Sequence, residues 1–202
     1  GSLSIRATRV LEEKGAAAVI AIHRNEREPH DGIATSVWGG APPLDEADRI
    51  PSIPVVNVAQ PDGDRLRELA DADESLDATV ETDLTTDWMA CPVVEARVEG
   101  GASDTDEFVL LHGHYDSWAV GIADNATGDA GLLELARVLD EHADDLDRNL
   151  RVAWWPGHST GRYAGSTWYA DECAMDLVEN CVAHVDMRSE EHTSELQSPS
   201  AI

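Results

Sequence analysis

The stretch FVLLHGHYDSWAVGIADNATG, from Phe108 to Gly128, constrains this chain more than any other. Phe108 to Leu111 is an apolar, partly β-branched run of the kind that forms a buried strand, and Gly128 opens a helical pattern. Between the two lie His112, His114, Asp116, Asp124 and Asn125. In open α/β sheets ligands bind beyond the carboxyl ends of strands, where the backbone turns away and leaves a crevice lined by loop side chains. This histidine and aspartate cluster falls in such a place.

The residues that follow extend the pattern. Strands are expected at Val93 to Val98, Leu150 to Trp155 and Asn180 to Met187, with helices at Asp129 to His142 and around Arg162 to Asp171. Leu132, Leu133, Ala136 and Leu139 line one face of the longer helix, opposite its acids. Strands alternating with helices indicate an α/β sheet covered on both faces. A boundary is expected near Asp83 to Asp87, giving domains at 1–87 and 88–187.

The first domain reads as a small β-rich unit with two helices: a helix over Ser4 to Lys14, strands at Ala16 to Ile22, Ile53 to Val58 and Leu76 to Leu84, a Pro61-Asp62-Gly63 turn, and a helix over Asp64 to Asp71. Residues 24–49 read as loop, and His23 and His30 as solvated histidines rather than ligands.

His114-Tyr115-Asp116 sets an imidazole two residues before a carboxylate. At a strand end this spacing lets the carboxylate take the proton of the ring nitrogen that does not face a metal, which fixes the tautomer. Asp124 at a loop tip and Asp186 at the end of the last strand complete a set of one histidine and two carboxylates that suits Zn²⁺ with room for a water. Taken singly, Asp124 and Asn125 also fit turn and cap positions, and Asp186 an ordinary loop acid. Taken together at the strand ends of one α/β pattern, they favour the metal site. His112 reads as a structural neighbour, and His184, on the face of Asp186, as a second-choice ligand.

The segments LLHGHYDSW (Leu110 to Trp118), ADNATG (Ala123 to Gly128), RVAWWPG (Arg151 to Gly157), GSTWYA (Gly165 to Ala170) and AHVDM (Ala183 to Met187) resemble the M28 family of zinc peptidases, which includes aminopeptidases and carboxypeptidases. The first domain, through GAAAVIAI and SIPVVNVAQPDGDRL, resembles the protease-associated (PA) domain that this family carries as an insertion. The resemblance implies a three-layer mixed sheet with helices on both faces, one or two zinc ions, and peptide hydrolysis by a metal-activated water. It also implies metal ligands at His114, Asp124 and Asp186, with Asp124 bridging two ions. One departure is plain. Where the family has a Glu-Glu pair, the first the general base, this chain reads Gly157-His158-Ser159-Thr160-Gly161-Arg162-Tyr163, with no carboxylate. His158 is the candidate replacement, as proton acceptor or as ligand to a second ion. A binding protein that has lost hydrolysis is the alternative, and a serine hydrolase built on the Gly157-His-Ser-Thr-Gly161 elbow pattern is a weaker one.

The formal charge of -26 and pI near 4.3 exclude nucleic acid and anionic membrane surfaces as natural partners. Lys14 is the only lysine, and this excess of acids over arginines suits concentrated salt, where self-repulsion is screened, as well as an ordinary acidic surface. Cys91, Cys173 and Cys181 form no C-x-x-C pair and indicate neither a disulfide framework nor a zinc ribbon. No run is long and apolar enough to span a bilayer, and the Gly-Ser start without methionine reads as a cut. Residues 188–202, RSEEHTSELQSPSAI, resemble a translated sequencing adapter. Without their one Arg and three Glu the charge is still -24.

Overall fold

The computed structural model describes residues 5–23, 26, 50–72, 76–83, 90–117, 120–188 and 196–197. The chain divides into two compact units, Gly1–Trp88 and Met89–Ile202.

In the first unit, helix α1 (Ile5–Glu13) precedes strand β1 (Val19–Ile22), which pairs in parallel with β2 (Val55–Val58). Helix α2 (Gln60–Ala72) follows at once. The Pro61-Asp62-Gly63 segment, expected as a turn, is the first turn of this helix. Proline is favoured there because the amide it lacks would have no helical partner, and Asp62 suits the positive end of the helix dipole. Gly63 is required by packing, since a Cβ would sit 2.4 Å from Ile22 Cγ2. The strand expected over Leu76 to Leu84 is not formed: residues 76–83 are irregular, and residue 84 lies outside the described residues. His23 is described and His30 is not.

The second unit is a three-layer α/β structure. Its sheet runs β3-β5-β4-β6-β7, from β3 (Val94–Val98), β4 (Phe108–His114), β5 (Asn149–Trp155), β6 (Cys181–Asp186) and the two-residue β7 (Leu196–Gln197). β4 is parallel to both β5 and β6, whereas β3 and β7 are antiparallel to their neighbours. The three parallel strands therefore end at one edge, with His114 level with Trp155, and Asp186 level with His112. β4 is three residues longer than its apolar run predicts, because Gly113 and the two histidines keep the ladder.

One face is covered by α3 (Thr127–Glu141), through Leu132 against Leu111, Val152, Val98 and Leu150. On the other, α4 (Ala164–Glu172) and α5 (Ala174–Asn180) pack Tyr169 and Leu177 on Phe108, Leu110, Ala153 and Trp155. Along β4 the alternation is strict. Leu111 faces α3, and Phe108 and Leu110 face α4, so His112 and His114 point to the α4 side.

Candidate metal centre

His114 closes β4 and is 2% exposed, the most buried histidine of the edge where the parallel strands end. Its Nδ1 donates to the backbone carbonyl of Asp116 at 3.0 Å, which leaves Nε2 with the lone pair. That nitrogen lies 2.9 Å from Asp124 Oδ1. Asp124 reaches it from the irregular turn Ile122–Ala126, whose Asp124–Asn125 peptide bond is cis. The buried Asn125 amide pins that turn by donating to His114 O at 3.1 Å and Met187 O at 3.3 Å.

His114 Nε2 and Asp124 Oδ1 are both buried without a hydrogen bond. Two electron-pair donors this close repel each other unless a proton or a cation lies between them. Burial alone pushes the His114 imidazole down, but Asp116 and Asp124 outweigh it and hold its pKa above the usual histidine value.

The Asp116 carboxylate was expected to accept from the His114 ring. Its Oδ1 is 3.6 Å from Nδ1, beyond hydrogen-bond reach, because another segment occupies it. The amides of His158, Ser159 and Thr160 donate to it at 2.7, 3.0 and 3.3 Å, and the Thr160 hydroxyl at 3.2 Å. Such a run of amides forms an anion-binding concavity. It exists because the chain after β5 folds back on itself: Gly157 has φ 65°, and a Cβ on Gly161 would lie 2.9 Å from Gly157 Cα. Burial works against the charged carboxylate, yet the His114 ring and these amides hold Asp116 far below the usual carboxylate range.

The same loop lays the His158 ring on that of His114, centroids 4.1 Å apart and planes 14° apart. Burial, the neighbouring His114 ring and Arg188 push His158 down to about 4, so it is neutral at neutral pH. The Arg188 guanidinium contacts His158 Nε2. Ser159 does not sit in a nucleophile elbow. The positive-φ non-glycine residues of this loop are Arg162 and Tyr163, and α4 begins only at Ala164.

His114, Asp116, Asp124 and His158 are thus together. Asp186 lies one strand away, its Oδ1 3.5 Å from His112 Nδ1. His112 is itself held by Trp155 and His184, and burial pushes its imidazole down to about 4. No three of the described His, Cys, Asp and Glu side chains are arranged to hold a metal ion. The pair of orphaned donors fits such an ion, and Asp186 lies on the same face of the sheet.

Asp129 escapes the sequence reading. An acid in the first turn of a helix reads as a partner of the helix dipole, but its Oδ1 is buried without a hydrogen bond, and burial, reinforced by Asp116, pushes it up to about 6.

The sequence profile of peptidase family M28 matches residues 94–198. The chain belongs to this family. Leucine aminopeptidase 2 of Trichophyton equinum is 32% identical over 125 residues, covering 59% of this M28 chain and 23% of the fungal protein. Aminopeptidase NAALADL1 of Mus musculus is 33% identical over 91 residues, or 43% and 12%. A probable glutamate carboxypeptidase VP8 of Zea mays is 28% identical over 90 residues, or 43% and 12%. The chain spans about a quarter or less of the length of these relatives. Among solved structures, an aminopeptidase from Aneurinibacillus sp. strain AM-1 superposes with a TM-score of 0.51 at 21% identity, covering 92% of this chain and 43% of the other, and shares the fold.

Proposed function

We propose that this chain carries part of a zinc-dependent exopeptidase acting on peptides, of aminopeptidase or carboxypeptidase type, with His114, Asp124 and Asp186 as ligands of one zinc ion. The observation that carries this reading is the buried, unpartnered approach of His114 Nε2 to Asp124 Oδ1. A zinc ion held there would supply Lewis acidity towards the scissile carbonyl and would acidify water.

The chain's own residues prepare that chemistry. The Asp116 carbonyl fixes the His114 tautomer, and the Asp116 carboxylate holds the 158–160 loop against it. His158, neutral and stacked on the His114 ring, can accept a proton or bind a second ion once Arg188 leaves its Nε2, but cannot do both at once. In this reading the first unit is a PA domain without catalytic residues, and the acidic surface is adapted to salt.

A second reading, a peptidase-like binding protein, is favoured by the absence of any carboxylate over residues 157–163. Equilibrium dialysis of the 202-residue chain should give near-unit zinc stoichiometry, abolished by Asp124→Ala. Tight binding that ignores this substitution refutes the ligand set. Hydrolysis of amino-terminal or carboxyl-terminal peptide reporters by the zinc-loaded chain supports the exopeptidase over the binding protein.

A further inference from the structure

A second cluster of imidazoles lies behind the candidate centre, on the same face of the sheet. The Trp155 indole Nε1 is 3.2 Å from His112 Nδ1, and His112 Nε2 is 3.1 Å from His184 Nδ1. Trp155 is 6% exposed, at the end of β5 beside His114. Its indole reaches back along β4, the two ring centroids 5.6 Å apart.

An indole N–H can only donate, so His112 Nδ1 must accept. A neutral imidazole with an accepting Nδ1 carries its proton on Nε2, and here that proton goes to His184. Both nitrogens of His112 are then engaged. Asp186 Oδ1, 3.5 Å from Nδ1, faces a nitrogen whose lone pair is already taken, and the two make no hydrogen bond. With the proton on Nδ1 instead, a charge-assisted bond would lock the Asp186 carboxylate onto His112.

We infer that Trp155 is a positioning residue: by fixing His112 as the Nε2–H tautomer it keeps His112 from capturing Asp186 and leaves that carboxylate available to a cation at His114 and Asp124. The inference rests on the zinc reading above for its purpose, but the tautomer it requires is observable without metal. The tryptophan thus acts at a distance from the ion, through a ring that never touches it.

The test uses the 202-residue chain. Long-range ¹H–¹⁵N spectra of the metal-free protein near neutral pH should show His112 protonated on Nε2, and Trp155→Phe, which keeps an aromatic ring in the core, should move the proton to Nδ1. Zinc affinity by dialysis should fall about tenfold or more in Trp155→Phe, the range expected for a residue acting behind a ligand. Affinity should stay near wild type in His112→Leu and be restored in the double variant. Wild-type His112 protonated on Nδ1 overturns the inference, as does unchanged affinity in a folded Trp155→Phe. A loss that His112→Leu fails to restore assigns the effect to packing and overturns it too. Should the wild type take up no zinc, the zinc reading fails, and the spectra alone decide the role of Trp155.

Discussion

The imidazoles of His114 and His158 are stacked 4.1 Å apart because His114 closes one of two paired parallel strands and His158 lies just beyond the other, and because Asp116 draws the loop after β5 over the end of β4. A charged His158 would repel any cation at His114, whereas the neutral ring stacks on His114 without that repulsion. His158→Ala should therefore leave zinc stoichiometry unchanged and abolish whatever peptide hydrolysis the protein performs. Activity that survives the substitution, followed across pH, removes His158 from the chemistry.

Asp116→Asn should loosen the 158–160 loop. The Asp116 pKa is depressed in the folded chain, so the charged carboxylate stabilises the fold above its unfolded pKa of about 4, and this contribution is lost as pH falls towards the lower folded value. The substitution should cost about 1–3 kcal/mol near pH 7, as loss of hydrogen bonds to a charged group does, and progressively less in acid. Zinc affinity should fall by less than about tenfold, since the Asp116 carbonyl that orients His114 is retained. Chemical denaturation at pH 7 and pH 3 measures the first effect. A loss as large as that of His114→Ala would make Asp116 a direct ligand.

Asp129 should behave in the opposite sense. Its folded pKa of about 6 lies above the unfolded value, so the fold favours the protonated form and loses stability as pH rises from about 4 through 6. Asp129→Asn should stabilise the protein by about 1 kcal/mol above pH 7, the full shift being discounted for partial exposure. Near pH 4 the gain should vanish. Thermal melts of the two proteins across that range check both the sign and the window.

Salt should stabilise this chain. With 40 acidic residues against 14 basic ones, self-repulsion opposes the compact state, and a Debye length of about 3 Å at 1 M screens it. The melting midpoint should rise steadily with KCl. A midpoint that is flat or falling removes the case for a salt-adapted surface.

The elements of the second unit were legible because each carries its own period. β4, β5 and β6 are apolar runs, and α3 shows Leu132, Ala136 and Leu139 at helical spacing. α5 was missed, since Cys173 joins it to α4 without a glycine or proline between them. Leu76 to Leu84 misled for a different reason. Alternation prepares a strand, but only a neighbour with free backbone groups makes one. At the site, the nearness of His114, Asp116 and Asp124 follows from local spacing at one strand end. The donation from Trp155 to His112, and the amides that Asp116 collects from 158–160, depend on the register of β4 against β5, which no local pattern encodes.

The loop after β5 is tied to Asp116 by the backbone amides of residues 158–160 and the Thr160 hydroxyl, so that tie does not depend on which side chains stand at 158 and 159. Scaffold and chemistry are thereby separable at these two positions. Mutation can exchange an acid for an imidazole or a hydroxyl there while the main chain keeps its course, and selection can retune or silence the centre in a single step. A socket of this kind gives the engineer a place to install a glutamate at 158 or 159.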